Sequence, residues 1–296
     1  MATATRLLEA SCSTHTRKAY QAALKCLESF RLESKRPAVW PAPVEHVRAF
    51  IAYLANKHTS PSTASTYLAG IAFFHKFHNW PDPTKEFQVT SMLKGFRKLH
   101  SRPDQRVPLT LSMLQDIISK LPVICQNAYE SSLFKAAFLT CFFGLLRVSE
   151  LTAPTKTGTS PLLRCHLSFA QNLAISLLIT RSKTDQFRKG HLIKLQPNNI
   201  PNLCPCLALH DFCKNYRNPI EGPLFLHTDS TPLTAFQFSA LLKKCASAAK
   251  LNTKHLSSHS FRIGACSFAA ALGLQVSDIK KLGRWSSRAF TSYIRI

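Results

Sequence analysis

The run from Ala136 to Leu146 is the longest apolar stretch of the chain, and Lys135 and Arg147 bracket it. It falls well short of the roughly 20 residues that a membrane span needs, so it is stabilised only by burial inside protein. A helix that is apolar on every side must be covered on every side. At roughly 150 residues per domain, a chain of 296 residues has room for two domains and for the elements that would do the covering. The expectation is a substantial core built around this helix.

Charge narrows the class of partner. Lys and Arg number 38 against 15 Asp and Glu, a net of +23, a self-repulsion best explained by a polyanionic partner, with nucleic acid foremost. Disorder does not account for it, because hydrophobic residues make up 45% of the chain and the 20 Phe are spread along it. The ten Cys and the opening Met1-Ala-Thr-Ala-Thr-Arg lack the pattern of a secreted disulfide framework and point to a reducing intracellular compartment.

The first hundred residues read as four helices. Apolar stripes run through Tyr20, Leu24, Leu27 and Phe30, then through Val47, Phe50, Ile51 and Leu54. Ser60-Pro61 caps a third helix reaching Asn79. A fourth, Thr84 to His100, ends with Lys94, Arg97 and Lys98 at helical spacing, a face suited to DNA phosphates. Residues 101–109 have two prolines and no periodicity and read as a linker. The domains expected are therefore 1–100 and 110–296. The first hundred residues hold 14 Lys and Arg against six Asp and Glu, a net of +8, and the remainder carries +15, which suggests two basic domains clamping one polyanion.

In the second part, Ser112 and Gln115 resemble a capping box, and Ser131 to Leu151 reads as one long apolar helix stopped near Pro154. Segments 162–169, 173–180 and 190–195 read as a small antiparallel sheet. Helices follow over 206–216, from a Thr234/Gln237 capping box to Ala249, and over 258–272 and 277–282. The fold class expected is mainly α with a small antiparallel β-sheet.

Four signals suit phosphate chemistry. Arg147 ends the apolar helix in Gly144-Leu-Leu-Arg147-Val-Ser-Glu150-Leu, with Glu150 three residues on, which also suits a surface ion pair. Lys183 lies in the polar, basic turn Thr180–Gly190, where a solvated lysine is equally natural. His259 and Arg262 fall in the first turn of a helix capped by Ser257, where free amides and the dipole favour an anion. Finally, Trp285 and Tyr293 close the chain, and Tyr293 alone reads as a packing aromatic. The crowded Cys204, Cys206, His210 and Cys213 are possible zinc ligands, but Leu207, Leu209 and Phe212 make the segment a core helix with small apolar cysteines, so no metal is expected.

Taken in order, Arg147, Lys183, His259-x-x-Arg262, Trp285 and Tyr293 resemble the tyrosine recombinases, or phage integrases. The close match runs from about Phe138 to the end, and the first hundred residues resemble that family's helical core-binding domain in pattern. The resemblance implies a mixed α+β catalytic domain that cleaves and rejoins DNA through a 3′-phosphotyrosyl intermediate formed by Tyr293. Arg147 and Arg262 would clamp the phosphate, with Glu150 orienting Arg147, Lys183 protonating the leaving 5′-oxygen, and His259 and Trp285 assisting. It implies no cofactor, ATP or metal, double-stranded DNA as partner, self-association as a tetramer on DNA, and no membrane. The wording around His259 and Gly283 is similar to Crypton-type recombinases of eukaryotic mobile elements, which implies a nuclear location in a eukaryote and the nucleoid otherwise. The chain ends three residues after Tyr293, where many members of the family continue, so assembly through another surface or a truncated sequence is expected. Two other readings stand beside this one: type IB topoisomerase-like nicking and resealing, and a DNA-binding protein derived from a mobile element.

Overall fold

The computed structural model describes residues 2–182, 185, 189–216 and 219–295. The chain forms two compact units, Met1–Asp104 and Gln105–Ile296. It is predominantly helical, with one small antiparallel sheet.

The first unit holds α1 (Ala2–Ala10), α2 (Thr14–Glu33), α3 (Val44–Asn56), α4 (Pro61–Phe77) and α5 (Phe87–His100). The apolar stripes read from the sequence form its core, in which Leu27, Phe30, Val47, Phe50, Ile51, Leu54 and Ile71 are buried. Ser13 and Ser60 cap α2 and α4 by accepting the amides of Thr16 at 3.1 Å and Thr63 at 3.0 Å. Two expectations change. α1 is an additional helix, and α5 starts at Phe87 because Glu86 is extended after a short 3₁₀ turn at Pro83–Lys85 that Asp82 caps.

The second unit begins with residues that the sequence left without structure. The Val107 amide donates to the His255 carbonyl at 3.3 Å, the Leu109 amide to Ser260 at 2.9 Å, and Leu109 is fully buried. A Cβ at Gly264 would collide with the Leu109 backbone, so glycine is what lets this segment lie against a helix. There follow α6 (Leu111–Ile124), α7 (Ala128–Phe143), α8 (Val148–Leu151), β1 (Leu167–Phe169), β2 (Ile175–Ile179), β3 (His191–Leu195), α9 (Pro205–Asn215), α10 (Ala235–Ala248), α11 (Ser258–Ala271) and α12 (Val276–Gly283). The strands pair antiparallel in the order β1-β2-β3, with Leu167 opposite Leu177 and Leu177 opposite Ile193. Helix α7 is the buried centre, and the Phe138 ring meets Phe238 of α10 at 4.8 Å and Phe261 of α11 at 5.4 Å.

The structure corrects two local readings. Thr110 caps α6, accepting the Met113 amide at 3.2 Å, while the Ser112 hydroxyl bonds to that of Thr110. The expected single helix from Ser131 to Leu151 is broken: α7 starts earlier, from an Asn127 cap, and ends at Phe143. Leu145 then adopts a left-handed conformation, φ 47°, which turns the chain before α8. Cys204 and Cys206 are buried in the core, the Cys206 thiol donating to the Leu195 carbonyl, and His210 lies at the surface beside Asp211. Among the described residues no group of His, Cys, Asp and Glu could hold a metal, and no helix is long and apolar enough to cross a membrane.

Candidate active site

The break between α7 and α8 sets the position of Arg147. It becomes the residue that opens α8, and its backbone amide donates to Glu150 Oε2 at 2.9 Å while its Nη1 donates to Glu150 Oε1 at 2.8 Å. Glu150 is 1% exposed, a buried carboxylate that both closes the helix turn and holds the arginine side chain. A third residue completes the arrangement. Arg284 Nη2 donates to Glu150 Oε2 at 2.6 Å, so one carboxylate carries two guanidinium groups.

Arg262 lies on the inner face of α11 and is 1% exposed. Its Nη1 donates to the Leu145 carbonyl at 2.6 Å and its Nη2 to the Gly283 carbonyl. Its guanidinium carbon sits 4.2 Å from the centre of the Trp285 ring and 5.8 Å from that of Tyr293, a stacked cation–π arrangement. Gly283 makes this possible: a Cβ there would enter the Trp285 ring, which folds back over the end of α12. Tyr293 ends a 3₁₀ turn, Arg288–Tyr293, anchored by buried Phe290. Its carbonyl accepts a hydrogen bond from the Ser267 hydroxyl of α11 at 3.3 Å, and its ring packs on Trp285 with centroids 5.3 Å apart.

These side chains surround one cavity of about 460 Å³, lined by Arg147, His259, Arg262, Trp285 and Tyr293 among others. His259 stands exposed at the rim, one turn before buried Arg262 on α11. Residues separated by more than a hundred positions in sequence thus converge. The sequence pattern places His259 and Arg262 together at an anion-binding helix start; in the structure Arg262 lies beneath Trp285, with both terminal nitrogens on carbonyls. Burial, and then the charges of Arg147 and Arg284, lower the Arg262 pKa to about 10, so it remains charged at neutral pH. Burial also lowers that of Arg284, against the opposing pull of Glu150. With three guanidiniums around one carboxylate, the site has an excess of positive charge suited to an anion.

Lys183 lies in the β2–β3 connection, outside the described residues. Within that connection the Asp185 carboxylate accepts the amides of Lys189 at 3.0 Å and Gly190 at 2.7 Å, which holds its pKa below the usual carboxylate range. In the first unit, Lys94, Arg97 and Lys98 are exposed along α5. Arg97 also lines a cavity of about 780 Å³ with His58, His100, Arg102 and the first turn of α4, and its Nη2 donates to Ser65 Oγ at 2.9 Å.

Residues 5–81 match the phage integrase N-terminal SAM-like domain. No curated protein matches the chain in sequence. Among solved structures, the Tn1549 transposon integrase in complex with transposon right end DNA is similar over 95% of this chain and 88% of its own, with 18% identity and a TM-score of 0.66. A lambda integrase dimer bound to a COC′ core site is similar over 96% and 89%, with 15% identity and a TM-score of 0.65. The XerH site-specific recombinase bound to a palindromic difH substrate is similar over 94% and 76%, with 13% identity and a TM-score of 0.64. The chain has the tyrosine-recombinase fold. Among these residues, Arg284 is the one that the sequence did not single out. A basic residue after Gly283 reads as a solvated helix end, and nothing local announces a partner 134 positions away.

Proposed function

We propose that the chain is a tyrosine recombinase that breaks and rejoins duplex DNA. The observation that carries this reading is the convergence of Tyr293 with Arg147, His259 and Arg262 on one positively charged cavity. The Tyr293 hydroxyl attacks a phosphodiester phosphorus, the bond to the 5′-oxygen breaks, and a 3′-phosphotyrosyl ester forms. Arg147 and Arg262 neutralise charge building on the non-bridging oxygens, for which a planar guanidinium is well shaped. Lys183 protonates the departing 5′-oxygen, and His259 assists proton transfer or binds a phosphate oxygen. The Trp285 indole N–H donates one hydrogen bond. Attack of a 5′-hydroxyl on the ester reseals a strand, so no nucleotide cofactor enters.

The similar integrases are seen on DNA, one of them as a dimer, which supports duplex DNA as substrate and self-association here; strand exchange on this reading takes place in a tetramer. Lys94, Arg97 and Lys98 supply phosphate contacts from the first unit, the core-binding domain of this reading. The wording around His259 and Gly283 favours recombinases of eukaryotic mobile elements of Crypton type, with a nuclear location; a bacterial host would put the protein at the nucleoid.

The test is incubation with a nicked suicide duplex, which loses the short strand carrying the 5′-hydroxyl and so traps any covalent adduct. A protein–DNA band stable to denaturant is the expected result. Exchange of strands between two duplexes separates recombination from nicking and resealing alone. Tight binding with no adduct would leave a DNA-binding protein and end the enzymatic reading.

A further inference from the structure

Glu150 has two oxygens and both are committed. Oε1 takes Arg147 Nη1 at 2.8 Å, and Oε2 is shared by the Arg147 amide at 2.9 Å and Arg284 Nη2 at 2.6 Å. A carboxylate bonded only to Arg147 and its own helix turn would swing with that side chain. A bond from a separate element to the second oxygen makes it a fixed point. Arg284 supplies that bond from the end of α12, with a side chain 4% exposed.

The same guanidinium reaches the other wall of the site. Arg284 Nη2 donates to the Leu145 carbonyl at 3.2 Å, and Nη1 donates to Gly144 at 3.4 Å and Leu282 at 3.1 Å. The Leu145 carbonyl is also the acceptor of Arg262 Nη1. Arg284 therefore touches the anchor of one cavity-lining arginine and an anchor of the other. Its backbone is left-handed, φ 56°, as is that of Leu145, φ 47°, and both are strained conformations for residues with a Cβ. A helix-terminal arginine is free to extend into water, where neither burial nor a buried, unbonded Nε would oppose it. Buried ion pairs add little to stability over an apolar pair of the same size, so what this one contributes is geometry.

We propose that Arg284 is a positioning residue for the two arginines that line the cavity, fixing Glu150 and the Gly144–Leu145 turn so that Arg147 and Arg262 are held in place before DNA arrives. This rests on the strand-transfer reading for its consequence in catalysis, though not for its consequence in the free protein.

Two measurements on the full chain test it. In single-turnover cleavage of the suicide duplex, Arg284→Met lowers the rate roughly 10- to 100-fold, the scale of a misplaced reacting group, with DNA affinity within a few-fold of wild type. Arg284→Lys, which keeps a charge for Glu150 but not the fork to the carbonyls, recovers part of the loss. The double variant Arg284→Met/Glu150→Gln loses less than the product of the two single losses, because the two residues share the hold on Arg147. Additive losses, or a Met variant as fast as wild type, overturn the proposal.

The second measurement needs no cleavage. Modification of Arg147 by phenylglyoxal in the free protein, read by peptide mass spectrometry, speeds up severalfold and alike in Arg284→Met and Glu150→Gln, and less in Arg284→Lys. Unchanged Arg147 reactivity in the folded variants overturns the proposal. If Arg284→Met fails to fold, Arg284→Lys and Arg284→Gln decide by the same readout. A wild-type chain that forms no adduct contradicts the recombinase reading, while the Arg147 reactivity still decides the role of Arg284.

Discussion

Both units bury an arginine against a tryptophan. Arg31 lies 4.9 Å from the Trp40 ring centre and Arg262 lies 4.2 Å from that of Trp285, each 1% exposed, Arg31 donating to one backbone carbonyl and Arg262 to two. Burial lowers the pKa of both. The difference is in their company. Arg31 bonds to the carbonyl of Val39 in the α2–α3 connection, and its Nη1, unlike either terminal nitrogen of Arg262, is buried without a hydrogen-bond partner. Arg262 shares a cavity with a second arginine, a histidine and a tyrosine, and two neighbouring guanidiniums depress its pKa further. A buried arginine is thus not itself a mark of function. Like charges gathered with a tyrosine around one cavity point to a candidate site, because crowding them raises affinity for an anion.

The comparison can be broken by experiment. Arg262→Met should lower cleavage of the suicide duplex by at least ~100-fold, the low end for losing one oxyanion donor; a near-normal rate would make Arg262 as structural as Arg31. A smaller effect is expected from removing the exposed cations of α5. Replacing Lys94, Arg97 and Lys98 with Ala should weaken binding and lower the slope of log affinity against log salt by about 0.9 for each phosphate that is no longer neutralised. An unchanged slope would take these residues off the DNA. The smallest effect belongs to Arg31→Met, which should change the cleavage rate per folded molecule less than about 2-fold. Its unfolding free energy should move by no more than about 2 kcal/mol, since the loss of a carbonyl partner is offset by relieving a buried charge. Chemical denaturation and single-turnover kinetics on the same preparation measure both.

Much of this was legible from the residues, for physical reasons that also mark the limit. Helices α2 to α4 and α9 to α11 were readable because each buries one face or opens at a strong cap, as with Thr234 and Gln237. Helix α1 was not, since Leu7 and Leu8 are exposed and no buried stripe marks it. The end of α7 was hidden because apolar residues run straight through it; only the left-handed Leu145 stops the helix, and leucine gives no sign of that conformation. This hidden turn is what makes Arg147 the start of α8. The candidate site residues are read from their order, a property of the sequence, whereas the depth of Arg262 and the hold of Arg284 on Glu150 are properties of packing. Lys183 remains an assignment from the sequence alone.

The central claim is that Tyr293 is the nucleophile. Digestion of the trapped adduct and mass spectrometry of the DNA-linked peptide should locate a nucleotide on Tyr293, in the peptide that also holds Phe290. Tyr293→Phe should form no adduct while binding the duplex within a few-fold of wild type, since only one hydroxyl is removed. An adduct that persists in Tyr293→Phe, or one mapped to Tyr67 or Tyr129, would contradict the account.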